Sequence, residues 1–186
     1  MHWRFGDLLL KAYRLELSAY SLPLKASACL SLARGREFGS GLGVGESTKH
    51  LLVDGNNIGR AWGSTGKLWR KDANAARALI VDTVRVWHDV MGWRVSVIFD
   101  GRGSAVSLEH PTDEKTFAVA YSPTGMTADS LIEQWVAGSR DAADCVVATA
   151  DRALKETLHA LGAATIGSRE LRAWLDRAET RVRRQL

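Results

Sequence analysis

Asp54 in LLVDGNN, Asp100 in VSVIFDG, Asp129 in SPTGMTADS and Asp151 in VVATADRAL all fall at or beside the C-terminal ends of expected strands. Asp54, Asp100 and Asp151 follow apolar, β-branched runs, and Asp129 opens a helix after a turn. Ligands of an open α/β sheet bind outside the carboxyl ends of its strands, so these carboxylates are expected to share one crevice. Clustered acids need compensating cations, and the hard ions that suit carboxylate and water are magnesium and manganese. The chain is basic, with a formal net charge of +4 and a pI near 9.3. A carboxylate–metal site in a basic chain suggests cleavage of a phosphate backbone.

Taken singly, each aspartate has a plainer reading. Asp54-Gly55-Asn56-Asn57 and Asp100-Gly101 are turn-forming strings. Thr127, Asp129 and Ser130 lie in a helical first turn, where hydroxyls and acids serve as caps. Asp151 reads equally well as an N-cap. The joint pattern is more telling than its parts. Gathering acids on one sheet edge without a cation would cost on the order of several kcal/mol in repulsion and desolvation.

The elements that must position these groups are legible from His50 onward. LLVD reads as a buried strand, followed by a loop rich in Gly, Asn and Trp. Ala76, Leu79, Ile80, Thr83, Val84 and Trp87 recur at helical spacing, which predicts a helix over Ala73–Val90 ended by Gly92. Strands are expected over Arg94–Phe99 and Phe117–Tyr121, with a polar connection between them. A helix capped by Thr127 then runs from Ala128 to about Ala137. A strand (Cys145–Thr149), a helix (Asp151–Leu161), a strand (Ala163–Ile166) and a last helix capped by Ser168 complete the pattern. Alternation of this kind predicts a parallel sheet covered on both faces, with right-handed crossovers.

Residues 1–48 are expected to form a separate N-terminal extension, and 49–186 the working domain. Hydrophobicity in the extension is patchy and ends in a Gly/Ser-rich stretch; Arg14, Glu16 and Lys25 interrupt any signal-peptide core. Two readings stand for it: a wrongly assigned start, with Val44 as the true one, or a short helix packed loosely on the domain. Cys29 and Cys145 are isolated, which fits a reducing cytoplasm, and no run approaches the roughly 18 apolar residues of a membrane span.

LLVDGNNI, VIFDG, YSPTGMTADSLIEQWV, VVATADRAL and the late GA-x-x-I-x-SREL together resemble the YacP-like NYN domain family of the PIN-like ribonuclease superfamily. The likeness runs from about Leu51 to Leu175. It implies a PIN-like three-layer α/β/α sandwich with a central, mainly parallel sheet. It also implies a metal-dependent endoribonuclease, some relatives acting on messenger RNA at the ribosome. The family's acids carry over to Asp54, Asp100, Asp129 and Asp151, as catalytic and Mg²⁺- or Mn²⁺-binding residues, with Asn57 as polar helper. Two positions depart from the pattern: Asn56, where an aromatic is usual, and Ala150, where serine is usual. The first bears on base stacking and the second on support of Asp151.

Metal-assisted hydrolysis of this type leaves a 5′-phosphate and requires no histidine. His88, His110 and His159 are scattered accordingly. Substrate contacts are expected from Asn57, Arg60, Arg102, Thr127, Ser130, Arg152 and Arg169. In the loop after the first strand, Arg60, Trp62, Lys67, Trp69, Arg70 and Lys71 interleave cations with aromatics, a composition that grips single-stranded RNA. The same tryptophans read equally well as covers of the core. The principal rival is a non-catalytic RNA- or ribosome-binding module on the same fold. A phosphatase with a nucleophilic aspartate is disfavoured, because Asn56 occupies the position where its second acid would stand.

Overall fold

The computed structural model describes residues 49–112 and 114–184. Residues 1–48, and with them Cys29 and the extension, lie outside the described residues. The described chain forms a six-stranded sheet of order β3-β4-β2-β1-β5-β6. Its strands are β1 (His50–Asp54), β2 (Arg94–Gly103), β3 (Ser107–Glu109), β4 (Phe117–Pro123), β5 (Cys145–Ala148) and β6 (Ala164–Ile166). All pairings are parallel except β3 with β4. The described α-helices are α1 (Gly55–Ala61), α2 (Gly63–Lys71), α3 (Ala73–Met91), α4 (Ala128–Gly138), α5 (Arg152–Ala160) and α6 (Ser168–Arg183).

Side chains alternate across a strand, and the strands use this to separate two jobs. Leu51, Val53, Val95, Val97, Phe99, Phe117, Val119, Val146 and Ala148 build one core with Ile58 of α1, Ile80, Val84 and Trp87 of α3, and Leu171 and Leu175 of α6. The intervening residues Leu52, Ile98, Ala120 and Val147 face the other way. There α4 and α5 contribute the buried Leu131, Ile132, Trp135, Leu154 and Leu158. Asp54 and Asp100 share the parity of Leu52 and Ile98, so they emerge on the α4 face.

β1 and β2 connect onward toward β4, whereas β5 connects toward β6. The change of direction between β1 and β5 is the topological switch point, the place beyond the strand ends where open α/β sheets bind their ligands.

Several expectations are corrected. The Gly-rich stretch after β1 is two helices, because Ile58 and Thr65 are buried and hold it down in spite of low helix propensity. β3, unforeseen, adds an antiparallel edge inside the polar connection. β2 runs on to Gly103 through a register shift after Phe99, so Asp100 lies within an irregular strand end. The last helix is capped by Gly167, with Ser168 its first residue. Gly92 ends α3 as expected, in the left-handed conformation (φ 63°).

Gly55 is required for space. A Cβ there would lie 2.2 Å from the Phe99 ring, and one on Gly101 would lie 2.4 Å from the Ser122 carbonyl. The two Asp-Gly pairs thus let each acid sit directly beside packed neighbours.

Candidate active site

Asp54 is the most deeply placed of the four acids, 2% exposed at the end of β1. Its Oδ1 accepts from the Asn57 backbone N–H at 3.0 Å, which makes it the N-cap of α1. Its Oδ2 accepts from the Thr149 hydroxyl at 3.0 Å. Thr149 is fully buried and its oxygen also accepts from the Asp151 N–H at 3.1 Å. One hydroxyl therefore ties the first acid to the backbone of the last.

Asp100 is held from both sides. Its Oδ1 accepts from the Ala128 N–H at 2.8 Å, at the start of α4, and its Oδ2 accepts from the Asn56 side-chain amide. The Ser122 hydroxyl fixes this corner: it donates to the Met126 carbonyl at 2.8 Å and accepts from the Gly101 N–H at 3.3 Å. Asp129, one residue after Ala128, is half-buried, and its charge acts on Asp54. Asp151 caps α5, its Oδ1 accepting from the Leu154 N–H at 3.0 Å.

The electrostatics show that these groups act on one another. Burial pushes the Asp54 carboxyl up to about 6, against the Asn57 and Thr149 hydrogen bonds, and the charges of Asp129 and Asp100 push it further. Asp129 is raised by burial first, then by Asp151 and Asp100, with Glu133 one turn along α4 adding a smaller push. A site whose members oppose each other's ionisation is one that a cation would relieve.

Among the described residues, no three His, Cys, Asp or Glu side chains already surround one point as ligands. Asp54, Asp100 and Asp151 each commit at least one oxygen to a protein donor. The donor set still fits a magnesium-like ion, which keeps several waters and takes only one or two carboxylates directly. The Asn56 Oδ1, buried beside Asp100 without a hydrogen-bond partner, is a further hard oxygen at the same place.

The expected substrate contacts divide. Thr127 and Ser130 bond to each other, the Thr127 oxygen accepting from the Ser130 N–H at 3.2 Å, so they serve as the α4 cap. The Asn57 side chain accepts from the Ala150 N–H at 2.9 Å and clips α1 to the β5–α5 turn. Arg102, Arg152 and Arg169 are exposed; Arg152 pairs with Glu156 at 3.1 Å, and Arg169 makes no ion pair with Glu133 or Glu170. Arg60 is exposed with its guanidinium 5.9 Å from the Trp69 ring centre. Trp62 and Trp69 pack on the core, and the Trp62 indole N–H donates to the Ser168 carbonyl at 3.1 Å. These rings are used in packing, with Arg60, Arg77 and Arg172 lying over them.

The described histidines have their partners elsewhere than the four site aspartates, His88 meeting Asp89 and Glu114. His88 is buried against Phe117 and Thr116, the His110 ring donates to the Phe117 carbonyl, and His159 bonds Thr165. Sequence reasoning gave neither the Asn56 amide nor Glu133 a place in the acid site, and passed over the Thr149 bridge. Only Glu133 carried a local signal, four residues after Asp129 on one helix face.

The sequence profile of the YacP-like NYN domain family matches residues 51–186. The chain is 28% identical over 137 residues to the uncharacterized protein YacP of Bacillus subtilis (strain 168), covering 73% of this chain and 80% of that protein. The crystal structure of Rae1 (YacP) from Bacillus subtilis superposes with a TM-score of 0.60 at 28% identity, over 74% of this chain and 79% of that one. A point mutant of the same protein gives 0.62 at 27% identity, over 73% and 79%. NYN domains are nuclease-type, RNA-related modules of PIN-like fold. With its mostly parallel sheet, its acids at the switch point and this match, the chain belongs to the YacP-like NYN domain family.

Proposed function

We propose that this protein is a metal-dependent endoribonuclease that hydrolyses phosphodiester bonds in single-stranded RNA, messenger RNA at the ribosome included. The observation that carries this reading is the mutual electrostatic influence of Asp54, Asp100, Asp129 and Asp151, which come from β1, β2, α4 and the β5–α5 turn beside the switch point.

Asp54, Asp100, Asp129 and Asp151 would hold Mg²⁺ or Mn²⁺ between them, through direct and water-mediated contacts. A bound divalent ion supplies acidified water and charge neutralisation at the phosphate. The chain's own residues do the rest. Asn57 and Thr149 orient the Asp54 carboxylate, and the Ala128 N–H and Asn56 fix Asp100. Arg102 and Arg152, each one or two residues from an acid of the site, suit the flanking phosphates; Arg60 and Arg169 extend the basic track. The isolated cysteines support a cytoplasmic place of action. Among the described residues, no helix is long and apolar enough to cross a membrane.

The test is cleavage of single-stranded RNA with Mn²⁺ or Mg²⁺, comparing wild type with Asp54→Asn and Asp129→Asn. Cleavage that requires metal, stops with EDTA and is lost in both variants supports the reading. Activity surviving both substitutions rejects it. The second reading, a binding module without catalysis, draws on the absence of a ready three-ligand set among the described residues. Tight RNA binding with no cleavage under any metal would select it.

A further inference from the structure

We propose that Asn56 belongs to the acid site and supplies an oxygen to the coordination shell of the divalent cation. This rests on the metal-dependent reading above and deepens it. Asn56 is 7% exposed and lies two residues beyond Asp54, at the start of α1. One end of its amide contacts Asp100 Oδ2. An ionised carboxylate only accepts, so that end is the amide nitrogen, and the other end is fixed as the carbonyl oxygen.

That oxygen is buried and has no hydrogen-bond partner. Leaving such an acceptor unmet costs about 1–3 kcal/mol, and native interiors rarely do so without a ligand, water or ion in view. Its surroundings name the class of ligand. Asp100 is in contact with the same amide, and Asp54, two residues before Asn56, feels the charges of Asp129 and Asp100. An acceptor set among acceptors has no protein donor to turn to. A cation, or a water oriented by one, is what all of them can share. Side-chain amide carbonyls with carboxylates are a ligand set that hard divalent ions take.

An asparagine kept for packing alone would have both ends of its amide met, or would be replaceable by an apolar residue of its size. Asn56 has one end committed to an acid of the site and the other buried without a partner. The first end sets where Asp100 points, and the second adds a neutral oxygen without further negative charge. In a cluster already strained by repulsion, a neutral ligand is the one that can be added at least electrostatic cost.

The experiment titrates Mn²⁺ alone into the full chain by calorimetry, and follows the Mn²⁺-dependent rise in Tm. The variants are Asn56→Leu, Asn56→Ser and Asn56→Asp, each checked for folding by circular dichroism. Loss of the oxygen in the leucine variant should weaken Mn²⁺ binding about 10-fold or more. The serine variant should do the same, and serves if leucine fails to fold. The aspartate variant keeps an oxygen and adds charge. It should bind at least as tightly as wild type and show a larger Mn²⁺-dependent gain in Tm. Wild-type affinity in folded leucine and serine variants overturns the inference while leaving the metal reading intact. An aspartate variant as weak as leucine also overturns it, assigning Asn56 only the clamping of Asp100. Absence of Mn²⁺ binding by wild type removes the metal reading itself, and this inference with it.

Discussion

The two ends of β1 each bury a titratable side chain on the same face of the sheet, His50 at the start and Asp54 at the finish. Burial works against charge at both. It holds the His50 ring down at about 3, with Arg94 adding to the effect, and it raises Asp54 to about 6. What surrounds them differs. His50 shares one hydrogen bond with the Ser96 hydroxyl at 2.9 Å and rests neutral. Asp54 receives two donors that favour its anion, while Asp129 and Asp100 oppose that anion. The first arrangement is complete in itself. The second aims a charge and leaves it uncompensated, which is how a fold holds a group ready for a ligand.

The contrast can be broken most strongly at Asp54. Asp54→Asn should lower RNA cleavage by about 10³-fold, roughly 4 kcal/mol of barrier, measured as kcat/KM at saturating Mn²⁺. The same change should stabilise the protein in EDTA. An acid whose folded pKa is raised from 3.8 to about 6 makes stability fall as pH climbs through that window. Removing it therefore yields up to about 3 kcal/mol above pH 6, read by urea unfolding. Lower stability together with lost activity would place Asp54 with His50, as a structural group.

Thr149→Val comes next, since it keeps shape and removes the hydroxyl that joins Asp54 to Asp151. Cleavage should drop about 10- to 100-fold with little change in RNA affinity. An unchanged rate would mean the bridge orients nothing. At the other end, His50→Gln should alter acid stability and not catalysis. A histidine depressed from 6.5 to about 3 contributes stability that is complete above pH 6.5 and is lost as pH falls toward 3. Wild type should thus lose about 1.4 kcal/mol per pH unit more than the variant in that window, or about 2 kcal/mol by pH 5. Parallel stability curves would show that His50 is not held neutral. Smallest is Arg152→Ala, whose 93% exposed side chain pairs only with Glu156. Thermal stability should shift by under about 0.5 kcal/mol. RNA affinity should fall uniformly across sequences, with a shallower salt dependence.

Most of the sheet was legible because buried parallel strands are short apolar runs, and LLVD, VSVIF and CVVA are such runs. The positions of the four acids followed from where those runs stop. What stayed hidden has physical causes. GNNIGRA and GSTGKLWRK look like loop because glycine disfavours helix, yet tertiary burial of Ile58 and Thr65 prevails. β3 is three exposed residues with no period to detect. Asn56 and Asn57 read as turn formers, but one bonds Asp100 and the other bonds Ala150, 44 and 93 positions away. No local pattern encodes such a contact. The cation–aromatic run after β1 was legible as composition, and only the packed rings show that Trp62 and Trp69 lie partly buried against the core.

The hydrogen bond from Thr149 to Asp54 joins residues 95 apart in the chain. During synthesis the first acid leaves the ribosome long before the hydroxyl that aims it, and the Asn57 clip to Ala150 is equally late. Contacts this distant in sequence are among the last to close as a domain forms. On the proposed reading, an incomplete chain still attached to its own messenger would carry the early acids without the Thr149 bridge and the Asn57 clip. The capacity to cut RNA would arrive only when the domain is whole, a safeguard set by topology alone.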